Sequence, residues 1–170
     1  IKTKDVALDL DQGFGITHMR AQVEAGCDAV QLFDTWAEVL SPAEYERLAL
    51  PYVQRVFHDL RDAGVPLVYF ARGTSHLLPL LPRTGATAWS VDWRVPLADV
   101  RAAHPRVPLQ GNLDPTLLFA PAETLRRETT LMLESLRGES HVANLGHGIL
   151  PGTPIEGVQT FVETVTRWTP

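Results

Sequence analysis

The sequence predicts an α/β protein built on a parallel sheet. Two observations carry that prediction. Five short apolar runs stand out: Ala29 to Phe33, Val65 to Ala71, Ala88 to Val91, Val107 to Gln110, and Val142 to Leu145. Most are rich in Val, Leu or aromatics and do not alternate with polar residues, as in strands covered on both faces. Helical signals fall between the runs, and this alternation joins parallel strands through right-handed crossovers.

Each helix has its own warrant. Ser41-Pro42-Ala43-Glu44 is a capping box with proline at the first helical position. Tyr45, Leu48, Tyr52, Val53, Val56 and Leu60 follow at helical spacing, and Gly64 ends the run. Pro51 inside this pattern predicts a kink or short break near Leu50. Shorter helices are expected around Ser75 to Leu81 and around Leu97 to Ala103. Pro121 opens another, with Leu125, Met132, Leu133 and Leu136 facing inward. Thr153-Pro154-Ile155-Glu156 is a second capping box, continued by Val158, Phe161, Val162 and Val165. Two architectures fit this order. An open doubly wound sheet can close its core within this length. A barrel needs eight strands and typically ~250 residues. Length alone favours the open sheet. After the first run the sequence reads Phe33-Asp34-Thr35-Trp36, with no glycine-rich phosphate loop, which weakens a nucleotide-binding reading.

Composition narrows the function classes. The 170 residues fit one domain, 1–170, with 45% hydrophobic and 21% charged residues. A net charge of -5 provides no basic footprint for nucleic acid or an anionic membrane. The one cysteine, Cys27, cannot form an internal disulfide and excludes a zinc site built from several cysteines. In the turn Ala25-Gly26-Cys27-Asp28 it reads as a structural residue entering a buried strand. No apolar run approaches the ~20 residues needed to span a bilayer. Ile1-Lys2-Thr3-Lys4-Asp5 is not followed by the apolar stretch of a signal peptide. The chain starts without Met, as a processed chain or a fragment does.

Polar residues gather after the apolar runs, where ligands meet parallel sheets. They are Asp34-Thr35-Trp36, Arg72-Gly73-Thr74, Asp92-Trp93-Arg94, Gln110-Gly111-Asn112-Leu113-Asp114-Pro115, and Asn144-Leu145-Gly146-His147-Gly148. Any one set is read as well by turns and helix caps; their coincidence at five strand ends favours a pocket rim. His147 is the strongest single candidate. Glycines on both sides allow a sharp turn and a close ligand approach, and a histidine can donate, accept or carry charge near neutral pH. The remaining histidines, His18, His58, His76, His104 and His141, show no paired metal spacing; His58 reads as solvated on a helix. Asp92 and Asp114 form a possible acid–base pair, but packed structure at Asp92 and a cap at Asp114 are the better readings. Arg72 and Arg94 have the chemistry to bind carboxylates, although Arg94 is read equally well as a solvated surface residue.

The segments Gln31-Leu32-Phe33-Asp34-Thr35-Trp36, Val68-Tyr69-Phe70-Ala71-Arg72-Gly73 and Val91-Asp92-Trp93 occur here in one order. Leu109-Gln110-Gly111-Asn112-Leu113-Asp114-Pro115 and Asn144-Leu145-Gly146-His147-Gly148-Ile149-Leu150-Pro151 follow. Together they resemble the C-terminal half of uroporphyrinogen decarboxylases, from about Ala21 to Trp168. The resemblance implies an eight-stranded (β/α)8 TIM barrel, of which this chain supplies the last five units. It implies stepwise loss of carbon dioxide from the four acetate side chains of uroporphyrinogen, leaving the methyl groups of coproporphyrinogen. It also implies no metal or organic cofactor, a cytoplasmic location in bacteria and a homodimer. Thr35 matches a Ser/Thr hydroxyl that contacts a substrate carboxylate, and His147 matches a histidine that contacts the substrate. A pair of arginines, an aspartate under the macrocycle and a tyrosine lie upstream in the family, and no stretch here matches them. Residues Ile1 to Thr17 fit the family poorly. Arg94 stands where the family usually has a small polar residue. Two other readings remain beside this one: a non-catalytic fragment or pseudoenzyme binding a porphyrin or a partner, and a zinc-dependent methyltransferase of the same superfamily. The latter class carries a His-x-Cys pair and a late cysteine, whereas Cys27 lies far from the late strands.

Overall fold

Strand and helix alternate as expected in a computed structural model, which describes residues 14–73 and 75–169. The strands are β1 (Val30–Asp34), β2 (Leu67–Ala71), β3 (Ala88–Ser90), β4 (Leu109–Leu113) and β5 (His141–Leu145). The helices are α1 (Phe14–Glu24), α2 (Pro42–Leu48), α3 (Leu50–Leu60), α4 (Leu97–Ala103), α5 (Ala122–Glu134) and α6 (Ile155–Arg167). Three 3-10 segments, Ala37–Val39, Ser75–Arg83 and Pro115–Phe119, complete the connections. Two compact units divide the chain, one reaching to Trp89 and the other starting at Ser90.

In the first unit β1 and β2 run parallel, with Val30 opposite Leu67 and Asp34 opposite Ala71. The Thr87 N–H donates to Leu67 O at 2.9 Å, which brings the chain entering β3 alongside β2. All five β2 residues are buried, as a continuous apolar strand requires. Tyr45, Leu50, Val53, Val56, Phe57 and Leu60 pack from α2 and α3. The Ser41 capping box forms in full: its hydroxyl accepts from Glu44 N at 3.3 Å, and Glu44 Oε2 accepts from Ser41 N at 3.1 Å. The expected break falls at Ala49, between α2 and α3. Pro51 then sits in the first turn of α3, where its lacking N–H costs no intrahelical bond.

In the second unit the Val91 N–H donates to Gln110 O at 2.9 Å. β4 and β5 run parallel, with Leu109 opposite His141 and Leu113 opposite Leu145. Leu97, Val100, Leu109, Leu113, Leu118, Leu125, Met132, Leu133 and Leu136 form the second core. The inward face expected for α5 is therefore present. α6 docks differently: Gly157 is its one buried residue among those described, and Val158, Phe161 and Val165 stay half-buried. A Cβ added at Gly157 would lie 2.1 Å from Leu118 O, so helix backbone rests on loop backbone.

Four local expectations are corrected. The segment after Thr74 is a 3-10 helix, not an α-helix, because Pro79 and Pro82 cannot donate to a regular ladder. Thr153 does not cap α6. Its hydroxyl donates to Leu150 O at 2.6 Å, and Pro154 takes the cap position. Cys27 is exposed, because the chain is still turning after α1 and burial begins only at Val30. β4 starts two residues later than its apolar run and carries on through Gly111 and Asn112. Pro108 has no N–H for the ladder, whereas the Leu109 N–H donates to Ser140 O at 3.1 Å. Among the described residues, no helix is long and apolar enough to cross a membrane.

Candidate active site at the strand ends

At the end of β1 the chain turns through Thr35 and Trp36 into the Ala37–Val39 segment. The turn is shaped by Asp34. Its carboxylate accepts from the backbone N–H groups of Trp36 and Ala37 and from the Tyr69 hydroxyl at 3.1 Å. The Tyr69 hydroxyl lies 2.8 Å from that of Tyr45, and both rings are buried. An ionised carboxylate only accepts, so Tyr69 donates to Asp34 and Tyr45 donates to Tyr69. Burial raises the Asp34 carboxyl above its ordinary range, against the opposing pull of its hydrogen bonds. Burial also pushes both tyrosine hydroxyls upward. Thr35, half-buried, rides on a turn fixed from beneath. Phe33 and Trp36, 65% and 63% exposed, present aromatic surface on either side of it in sequence.

Arg72 is engaged at the end of β2. Its Nε lies 3.4 Å from Glu38 Oε1. Gly73 makes that approach possible: at φ 64° it has no Cβ, and one added there would fall 2.2 Å from Glu38 Oε2. The Glu38 carboxylate thus partly neutralises the guanidinium that the sequence offers for substrate carboxylates.

The second unit gathers the ends of β3, β4 and β5. Asp92 is 2% exposed; its Oδ1 accepts from Arg94 N at 2.8 Å and its Oδ2 from Arg94 Nη1 at 2.9 Å. This matches packed, hydrogen-bonded structure. The Arg94 guanidinium sits 4.3 Å above the Trp93 ring centroid. Asn112 Nδ2 donates to Asp92 O at 2.8 Å and Val95 O at 2.6 Å, tying the β4 end to the loop after β3. Gly146 brings the β5 end equally close: a Cβ there would lie 2.4 Å from Trp93 N. His147, the next residue, meets the Trp93 ring edge to face at 6.3 Å. Asp114 caps the Pro115–Phe119 segment by accepting from Thr116 N at 2.8 Å. His141 lies at the opposite end of β5, with Nε2 2.6 Å from Gly111 O, and burial lowers its pKa. His58 is exposed on α3, as expected, beside Arg61.

The sequence singles out His147 and the Asp92 loop at strand ends and offers Thr35 through the resemblance, but it does not reveal the Asp34–Tyr69–Tyr45 chain. A signal for it exists, since a tyrosine inside a wholly apolar strand must place its hydroxyl against a partner. Among the described residues, no three His, Cys, Asp or Glu side chains are gathered to hold a metal ion.

Parallel strands in each unit, β1 with β2 and β4 with β5, with polar residues following their C-terminal ends, define an α/β protein of the β/α-repeat class. The family model described as uroporphyrinogen decarboxylase matches residues 7–168. The chain belongs to the uroporphyrinogen decarboxylase family, whose members are (β/α)8 barrels, and contains part of that fold. It is 45% identical over 149 residues to a uroporphyrinogen decarboxylase of Thermus thermophilus, covering 87% of this chain and 44% of that protein. To the Streptomyces coelicolor enzyme of the same name it is 47% identical over 160 residues, covering 92% of this chain and 45% of that one. For the Geotalea uraniireducens protein, also of that name, identity is 39% over 151 residues, with 88% and 44% covered. The chain therefore spans less than half the length of these relatives.

Proposed function

We propose that this chain is the C-terminal part of a uroporphyrinogen decarboxylase, converting uroporphyrinogen III to coproporphyrinogen III. What carries this is the family match over residues 7–168, with relatives of that name 39–47% identical. In that role the Thr35 hydroxyl donates to a substrate carboxylate. His147, beside Trp93, contacts the macrocycle. The chemistry suits a site without metal or organic cofactor. A protonated pyrrole ring accepts the electron pair of the breaking bond, carbon dioxide leaves, the exocyclic carbon takes up a proton to become a methyl group, and the ring gives up its added proton to regain aromaticity. The protein must hold several carboxylates and manage protons. A cytoplasmic location and a homodimer belong to the same reading.

The test is anaerobic incubation of the chain with uroporphyrinogen III, followed by chromatography of the oxidised products and a binding titration. Coproporphyrin formation, reduced in Thr35→Ala and His147→Ala, is the expected result. Uroporphyrin binding without turnover, weakened by the same substitutions, would instead support a non-catalytic porphyrin-binding fragment. Neither turnover nor binding would sink the reading.

A further inference from the structure

The geometry points to Arg94 as a carboxylate-binding residue, presented beside His147 by a preformed Asp92–Arg94–Trp93 assembly. This rests on the porphyrinogen reading above and names one more residue of that site. Three observations within the second unit support it. First, Arg94 is the partly open member of its ion pair: its side chain is 41% exposed, whereas that of Asp92 is 2% exposed. Second, its fork is held rigid. Asp92 takes Nη1 at 2.9 Å, the Arg94 backbone N–H closes a second bond to the same carboxylate at 2.8 Å, and Trp93 underlies the guanidinium at 4.3 Å. A guanidinium carries five N–H donors in a planar fork, so the bond to Asp92 leaves donors with the geometry to grip a carboxylate. Holding the side chain in place beforehand removes much of the ordering cost of binding. Third, the same Trp93 ring meets His147, because Gly146 lets the β5 end approach Trp93 N. The cation and the histidine therefore share one aromatic support at the strand ends.

Asp92 and Arg94 together are neutral, so recognition rests on the donors that Arg94 keeps rather than on net charge. Arg94 lies on the open side of the buried Asp92, and an incoming carboxylate would accept charge-assisted bonds from those donors. The ligand is a peripheral carboxylate of the tetrapyrrole, from either an acetate or a propionate side chain.

The experiment titrates uroporphyrin, which carries acetates and propionates, and coproporphyrin, which keeps propionates alone, into the wild-type chain and variants. Arg94→Thr removes the fork and with it one partner of the buried Asp92 carboxylate. The double variant Asp92→Asn with Arg94→Thr removes both charges and keeps the fold testable, checked by circular dichroism. Arg94→Lys keeps the charge without the fork. We expect the double variant to bind uroporphyrin about tenfold more weakly, with partial recovery in Arg94→Lys. Loss confined to uroporphyrin assigns Arg94 to an acetate; equal loss for both porphyrins assigns it to a propionate. Unchanged affinity for both in a folded double variant overturns the assignment and leaves the function standing. Absence of porphyrin binding by the wild type overturns both.

Discussion

Among single residues, Asp34 carries the most unusual chemistry. Its carboxyl is raised by burial, so the native state holds its proton to higher pH than the unfolded chain does. The sign follows from linkage. Any stability tied to this group is fully present below the unfolded value of 3.8 and is lost as pH rises through the folded value. Asp34→Asn removes that dependence and keeps an oxygen to accept from Trp36 and Ala37. The wild type should gain stability relative to Asp34→Asn as pH falls toward 4, read as the difference in Tm between the two proteins; a difference constant with pH would exclude it. Legibility at this scale is uneven. His147 stands out from its flanking glycines, and Asp114 from the turn chemistry of Asp-Pro. Thr35 has no local signal and comes from the resemblance alone. The Asp34–Tyr69 bond joins residues 35 apart, and no local pattern reports such a pairing.

The elements are more legible, because period and capping are local properties. Runs of apolar residues mark all five strands, and Pro51 marks the α2–α3 break. Two of the errors share a cause: a local signal is overridden by a neighbour. Thr153 has the spacing of a cap, but Leu150 O takes its hydroxyl. Ser41 has the same spacing and does cap. The two sites make a paired test. Ser41→Ala should cost about 1 kcal/mol, and Thr153→Ala should stay within about 0.5 kcal/mol of the wild type. Urea unfolding of both variants checks this, and equal losses would contradict the capping difference. β4 shows the other kind of override. Gly111 and Asn112 are poor strand formers, yet they extend the strand, paired with Ala143 and Asn144 of β5 while the Asn112 side chain donates to Asp92 O and Val95 O.

At the scale of the whole molecule, length points to an open sheet, while the order of five strand-end motifs points to a barrel family. The order is the better guide. Length describes the polypeptide in hand, whereas motif order records the parent fold, and this chain spans 44–45% of its relatives. The contact between Gly157 and Leu118 O has a consequence for how long the protein survives among proteases. Besides its packing along α5, α6 meets the Pro115–Phe119 segment where two backbones touch at Gly157, a contact that any side chain would wedge apart. Gly157→Ala should cost about 1–3 kcal/mol and raise the fraction of time the last helix is detached. Cleavage under native conditions follows that open fraction. Limited trypsin digestion should therefore nick the variant first near Arg167, at a rate well above wild type, while residues before α6 persist. A helix docked this way makes one glycine a clasp on how often α6 opens to a protease.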